Sequence, residues 1–359
     1  MKQTMFLKLA PTRMQQQALL ETMRQFNAAA NYVAKVAFAE HSANKFGLQK
    51  LVYGELRTTY HLAAQLAVRC ISKACEAYKR DMNIQPTFRS EGAIVYDERV
   101  MSFKGLTSVS LLTVHGRQLI PFLIGGYQAA RMERIKGQAD LLYRHGTFFL
   151  VVTLEAPELI PDEVSGTLGI DLGVVNLATD STGETFSGQA VEITRQRYHA
   201  LRQRLQKRRT KSAKRHLKKL SGQERRFRTN SNHMISKRIV QKAKTLGQGI
   251  ALEDLRHIRQ RTVARFKKSQ RARYSSWAFG QLRFFLSYKA ALAGVPLHTV
   301  DPRNTSRTCH VCGYCAKENR KSQACFVCQC CGLSMNADIN AAINISRVAV
   351  KQPIVAGRA

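Results

Sequence analysis

Three acidic residues stand where a charge is expensive. Gly169-Ile170-Asp171-Leu172-Gly173 sets a carboxylate inside an apolar strand. An unpaired anion there needs a cation, a hydrogen-bond cage or an open cleft. A strand-end aspartate capping a turn is the plainer reading. Ile250-Ala251-Leu252-Glu253-Asp254 repeats the pattern. In a strand Ile250 and Leu252 share one face, and Ala251 and Glu253 the other. Glu253 therefore points to one defined face, unless it is a strand-end charge entering solvent; Asp254 caps or lines the exit loop. Asn336-Ala337-Asp338-Ile339-Asn340-Ala341-Ala342 opens a helix in which Asp338, Ala341, Ala342 and Ile345 share a face. Small residues beside the acid permit close approach to a sheet. The alternative is an N-terminal aspartate interacting with the helix dipole. Together, Asp171, Glu253 and Asp338 could hold two divalent ions, the arrangement that activates a water and stabilises the leaving oxygen of a phosphodiester. Oxygen ligands suit magnesium or manganese.

A second constellation is built from sulfur. Cys309-His310-Val311-Cys312-Gly313 and Cys328-Gln329-Cys330-Cys331-Gly332 are two C-x-x-C-G units. Their spacing suits a zinc ribbon, with two thiolates from each short loop on one tetrahedral ion. Glycine after each second cysteine permits a tight turn and favours this register over Cys312-Cys315 and Cys325-Cys328. The expected zinc ligands are Cys309, Cys312, Cys328 and Cys331, leaving Cys315, Cys325 and Cys330 as ordinary small residues. Seven of the nine cysteines crowd into Cys309 to Cys331, which favours a metal site in a reducing compartment over a disulfide scaffold.

The third feature is charge. The chain of 359 residues has 57 basic and 24 acidic residues, a formal net charge of +33. Such a surface calls for a polyanion, and nucleic acid fits best. Residues Arg195 to Arg228 hold 15 Lys/Arg and one acid, Glu224. Like charges at helical spacing repel without counterions, so a solvated face is a poor account of them. Arg202, Arg204, Lys207, Arg208, Arg209, Lys211, Lys214 and Arg215 are the candidate backbone contacts. Tyr198 and Phe227 either stack on bases or pack against protein. A membrane partner is disfavoured, with no apolar run of about 18 residues and no signal-peptide stretch at the start.

The elements that position these groups follow from periodicity. A strand at Met5 to Leu9 leads, through Pro11-Thr12, into helices from about Met14 to Arg80, divided near Ser42 to Gly47. Ala93 to Tyr96, Ser108 to Val114 and Phe148 to Leu154 read as strands, with turns at His115-Gly116 and His145-Gly146. This predicts a small β-barrel with helices inserted after its first strand. Pro157 to Ser165 reads as a linker. Beyond it come strands Thr167–Leu172, Asn176–Thr179, Glu184–Phe186, Gly249–Leu252 and Leu297–Val300. Helices cover most of Arg195 to Leu246, and another spans Trp277 to Ala293. The expectation is a multidomain α/β protein.

The motifs taken together resemble the TnpB family, nucleases of bacterial insertion sequences related to miniature type V CRISPR effectors. Gly169 to Gly173 is similar to the first RuvC motif, Leu252-Glu253-Asp254-Leu255 to the second, and Asn336 to Ile345 to the third. Thr305 to Gly313 with Phe326 to Gly332 resembles the family ribbon, and Tyr288-Lys289-Ala290 before Gly294 also fits. Before Ser165 the likeness is general, carried by Lys8-Leu9-Ala10-Pro11-Thr12 and the helices behind it.

The resemblance implies an RNase H-like (RuvC) nuclease domain over 163–306 and 333–350, with the zinc ribbon inserted at 307–332. It also implies a wedge-type barrel over 1–162 with a helical recognition lobe at about 12–85, and a tail over 351–359. It makes Asp171, Glu253 and Asp338 the catalytic set holding magnesium or manganese. Arg307 would contact the scissile phosphate or form a salt bridge. The partners implied are a guide RNA, from the transposon end or a CRISPR-like locus, and double-stranded DNA bearing a short adjacent motif. The location implied is the bacterial or archaeal cytoplasm, at the nucleoid. Two other readings are a nuclease-independent RNA-guided repressor, which should lack the acids, and an accessory transposase protein, for which no separate tyrosine or serine nucleophile is evident.

Overall fold

The computed structural model describes residues 2–156, 159–255, 279–322 and 324–351. The expected tail after Lys351, Trp277 at the head of an expected helix and Pro157 at the head of the expected linker lie outside the described residues. The chain divides into two units, Met1–Pro157 and Glu158–Ala359.

The first unit begins with β1 (Lys2–Leu9) and three helices, α1 (Arg13–Ala39), α2 (Lys45–Thr58) and α3 (Ala64–Tyr78). Strands β2 (Ile94–Tyr96), β3 (Met101–Lys104), β4 (Ser108–Thr113) and β5 (Gly116–Leu123) follow. A single turn, α4 (Gly126–Ala129), precedes β6 (Ile135–Arg144) and β7 (Thr147–Glu155). The order β2-β6-β7-β1-β5-β4-β3 forms a near-closed antiparallel barrel, with the helices inserted after β1. Local signals fix the boundaries. Thr12 and Gln15 form a reciprocal capping box at the start of α1. His145 and Gly146 both take positive φ (51° and 78°), the conformation a tight β6–β7 hairpin turn requires. Met5, Leu7 and Leu9 alternate inward from β1 and join Leu19, Met23, Phe26 and Ala30 of α1 in one core. Into the edge of this core reaches Lys73, whose ammonium donates to Asn27 Oδ1 (2.8 Å) and to the Ala93 carbonyl (2.6 Å).

The second unit is a mixed sheet between helices. Its strands are β8 (Thr167–Asp171), β9 (Asn176–Asp180), β10 (Thr185–Ser187), β11 (Gly249–Glu253) and β12 (Leu297–Val300), in the order β10-β9-β8-β11-β12. The first three are antiparallel neighbours, whereas β11 runs parallel to both β8 and β12. Helices α5 (Gln189–Arg208) and α6 (Lys211–Thr245) connect β10 to β11, and α7 (Phe279–Ala293) precedes β12. A small hairpin, β13 (Cys325–Val327) with β14 (Ser334–Asn336), leads into α8 (Ala337–Lys351).

Strand alternation divides the labour of the two faces. Leu168, Ile170, Ile250 and Leu252 bury against Ile235 and Ile239 of α6 and Leu282 and Leu286 of α7. Each such side chain contributes roughly 1.5–3 kcal/mol of apolar burial. The opposite face carries Gly169 and Asp171 on β8 and Ala251 and Glu253 on β11. Ala251 and Val300 pack there against Ile345 and Ala349 of α8. Gly169 permits this contact, because a Cβ there would stand 2.0 Å from the Ala342 carbonyl oxygen and 2.6 Å from the Ser346 nitrogen. No helix among the described residues is long and apolar enough to cross a membrane.

Candidate active site and candidate metal centre

Asp171 ends β8, Glu253 ends β11, and Asp338 opens the helix laid over both strands. The structure thus brings three distant acids to one end of one sheet face. Electrostatics record the convergence. Burial pushes the Asp171 carboxyl up to about 8, Glu253 and Asp338 push it further, and Arg320 with the Leu172 N–H opposes them. Burial also raises Glu253, against the lowering effects of the Thr305 hydroxyl and Arg320, with Asp301 adding to the rise. Asp338 is 4% exposed. Its carboxylate accepts from Asn176 Nδ2 at 2.9 Å and pairs with Arg320 at 3.3 Å. Thr305 Oγ1 donates to Glu253 Oε1 at 2.5 Å.

Asp338 does not cap its helix. Asn336 does, its Oδ1 accepting from the N–H groups of Asp338 (2.9 Å) and Ile339 (3.2 Å). The aspartate is left free of that duty and faces the other acids. Asp254, by contrast, is turned away to Arg283 on α7, at 2.9 Å.

The donor set fits divalent cations. Three carboxylates gather near one arginine, and Asp171 is raised first by burial and then by the neighbouring Glu253 and Asp338. The carboxylates are more loosely set than the cysteines: among the described residues only the four thiols form a metal-type group with all ligand atoms within 4.8 Å. A pair of ions roughly 4 Å apart does not demand that all three carboxylates touch one ion.

Cys309, Cys312, Cys328 and Cys331 form that tight group. The Sγ atoms of Cys309 and Cys331 are 3.7 Å apart, and those of Cys312 and Cys328 are 3.5 Å apart. A tetrahedron with metal–sulfur bonds of ~2.3 Å has edges of ~3.8 Å, so the four thiolates could hold a metal such as zinc. N–H groups of Cys331 and Cys330 donate to Cys328 Sγ and push that thiol down to about 6. Cys331 moves the other way: the Leu333 N–H lowers it, but sharing its proton with Cys312, Cys328 and Cys309 outweighs that and holds it up at about 12. The thiols share protons, so these opposite shifts belong to the group of four and not to either cysteine alone. Cys315, Cys325 and Cys330 are exposed and stand outside the group.

The basic residues lie on the α5–α6 hairpin, which closes on Leu205, Ala213 and Leu220. Arg204, Lys207, Arg208, Arg209, Lys211, Lys214 and Arg215 are exposed along its tip. Arg209 takes φ 49° at the turn, and Thr210 caps α6 by accepting from Ala213 N. Arg202 differs from its neighbours. It is half-buried and engaged with Glu224 across the hairpin at 2.9 Å, an internal tie rather than a free backbone contact. Tyr198 packs against the hairpin's own core. Arg307 is exposed, while the arginine that reaches the acids is Arg320. The sequence did not assign Arg320, Asn176 or Thr305 to the site: Thr305 opened the ribbon motif and Asn176 a strand, but nothing local says that their side chains meet Glu253 and Asp338.

Family models match two stretches: "Probable transposase" over residues 150–259 and "Cas12f1-like, TNB domain" over residues 279–345. The TnpB-like protein MJ0751 of Methanocaldococcus jannaschii is 34% identical over 129 residues, 36% of this chain and 45% of that protein. These matches are what a likeness to the TnpB family would give. The chain is also 25% identical over 358 residues to InsQ of Escherichia coli (strain K12), which carries a provisional RNA-guided DNA endonuclease name. That alignment covers 90% of this chain and 87% of InsQ. The chain spans 27% to 52% of the length of the first curated relatives it matches. In fold, it resembles the solved structure of the mini-RNA-guided endonuclease CRISPR-Cas phi3, with TM-score 0.58 and 11% identity over 98% of this chain and 93% of that one.

Proposed function

We propose that this chain is a TnpB-family, RNA-guided DNA endonuclease that hydrolyses phosphodiester bonds at a carboxylate site formed by Asp171, Glu253 and Asp338. The observation that supports the reading is that Asp171 and Glu253 end neighbouring parallel strands and Asp338 opens the helix packed over them, a packing that Gly169 permits. The strand order, three antiparallel strands followed by two parallel ones, suits an RNase H-like (RuvC) domain over residues 163–306 and 333–350. On this reading residues 307–332 are an inserted zinc ribbon. Residues 1–162 are a wedge barrel with a helical lobe that holds guide RNA and meets a short DNA motif beside the target.

Magnesium or manganese ions, when bound by the three acids, supply an activated water and charge stabilisation of the leaving oxygen. Asp171, Glu253 and Asp338 hold that charge. Asn176 and Arg320 orient Asp338, and Thr305 holds Glu253. Arg320 adds a fixed cation beside Asp338. Arg204, Lys207, Arg208, Arg209, Lys211, Lys214 and Arg215 grip backbone phosphates without reading sequence. Base pairing with the guide then carries target choice.

The test is direct. RNA co-purifying with the protein is sequenced, and DNA matched to it is offered with magnesium. Cleavage is expected, and Asp171→Asn, Glu253→Gln or Asp338→Asn should abolish it while target binding persists. Matched DNA that is bound but left intact by the unaltered protein would reduce the chain to a nucleic-acid holder.

A further inference from the structure

Glu253 and the cysteine cluster are joined by a continuous set of hydrogen bonds that runs through α8. Thr305 lies in the loop between β12 and the first cysteine pair, and is 5% exposed. Its hydroxyl has one proton and two acceptors in range, Glu253 Oε1 at 2.5 Å and the Pro302 carbonyl at 3.1 Å. The shorter contact, to the carboxylate, takes the proton. Thr305 is itself held from behind. Asn344 of α8, 7% exposed, donates one amide proton to the Thr305 carbonyl (2.8 Å) and the other to the Thr308 carbonyl (2.7 Å). Asn340, fully buried one turn earlier, donates to the same Thr308 carbonyl (2.9 Å) and accepts from the His310 N–H (3.1 Å). Thr308 and His310 flank Cys309.

Helix α8 therefore does two jobs with two faces. Asp338, Ala342 and Ile345 face the sheet. Asn340 and Asn344, four residues apart, face the loop that carries Thr305 and Cys309. A glutamate has three rotatable bonds, and its carboxylate must be fixed to within about half an ångström to serve a metal. β11 fixes only the Cα of Glu253.

We propose that Thr305 is the positioning residue for Glu253, and that Asn344 sets Thr305, so that α8 places both its own acid and the acid of β11. The assignment rests on the nuclease reading above. Groups that orient a metal-binding carboxylate typically change affinity for the ion by 10–100-fold when removed. Valine at 305 keeps the shape of threonine and loses the hydroxyl, whereas serine restores it.

The experiment is manganese binding to the zinc-loaded full-length protein, read by electron paramagnetic resonance, for the unaltered chain and for Thr305→Val, Thr305→Ser, Asn344→Leu and Asp338→Ala. Zinc content and thermal unfolding are measured alongside, and the manganese concentration for half-maximal DNA cleavage is determined. Thr305→Val is expected to weaken manganese binding at least tenfold, to raise the half-maximal concentration by a similar factor, and to keep its zinc. Thr305→Ser should return both values to within about twofold of the unaltered protein. If Asn344→Leu fails to fold, the Thr305→Val and Thr305→Ser pair still decides the question. Unchanged manganese binding in Thr305→Val, or failure of serine to restore it, overturns the positioning role alone. If the unaltered protein and Asp338→Ala bind manganese identically, the nuclease reading and the positioning role both fall.

Discussion

Gly169→Ala adds one methyl group to a strand and should disable the site without touching an acid. The new Cβ would meet the Ala342 carbonyl oxygen at 2.0 Å, the Ser346 nitrogen at 2.6 Å and Ser346 Cβ at 3.0 Å. Two of these are helix backbone atoms, which cannot swing aside as a side chain does. Real Cβ contacts essentially never fall under 3.0 Å, so α8 must rise from β8 by about 1 Å. Overpacking of this kind costs roughly 1–3 kcal/mol. In a unit of this size that is a fall of several degrees in Tm, at ~2–4 °C per kcal/mol. The larger effect is on geometry. Asp338 rides on α8 and Asp171 on β8, so the lift separates them, and a misplacement of about 1 Å costs ~100-fold in rate. The assay is magnesium-dependent cleavage of matched DNA, with unfolding followed by calorimetry. Gly166→Ala is the control, since its nearest neighbour would be Gln248 Nε2 at 3.9 Å, and it should change stability by no more than ~0.5 kcal/mol. A Gly169→Ala protein that cuts at the normal rate and melts at the normal temperature would refute the claim that close seating of α8 assembles the acids.

Further outcomes follow from single contacts. Arg320→Ala removes a cationic partner from a nearly buried Asp338 and should destabilise the second unit by up to about 3–5 kcal/mol in magnesium-free buffer; calorimetry should show most of the loss recovered when magnesium is added. Replacing Arg204, Lys207, Arg208, Lys211, Lys214 and Arg215 with glutamine should lower the slope of log affinity against log salt by up to ~5 for duplex DNA, whereas Arg202→Gln should mainly loosen the hairpin through loss of Glu224, a difference visible in salt titrations and helix melting. Lys73 is the pH probe of the first unit. Burial lowers its ammonium from 10.5 to about 8, so between these values the unfolded chain binds a proton that the folded chain does not. Its contribution to stability therefore rises with pH across that window and is flat below 8 and above 10.5. Denaturant titrations at pH 8 and 10 should show this gain, and the Lys73→Met protein should lack it.

Much of this was legible in the residues because the signals are local. The barrel strands and their tight turns follow from alternation and from positive-φ pairs such as His145-Gly146. The start of α1 follows from Thr12 and Gln15, and the four-thiol group from two C-x-x-C-G loops. Period two alone put Glu253 on the face opposite Ile250 and Leu252, where the structure places it. Small residues at 341 and 342 announced a close helix–sheet contact.

What no local pattern could decide is what lies across that contact. Asp338 reads equally well as a helix cap until Asn336 is seen accepting those N–H groups. Arg202 is indistinguishable from Arg204 in sequence, yet one folds back on Glu224 and the other faces solvent. Arg320, Asn176 and Thr305 acquire meaning only because strands and a helix separated by up to 162 residues in the chain bring their atoms within hydrogen-bond reach. Periodicity tells which way a side chain points. Which group it meets depends on backbone packing between elements, and that is set by the whole core.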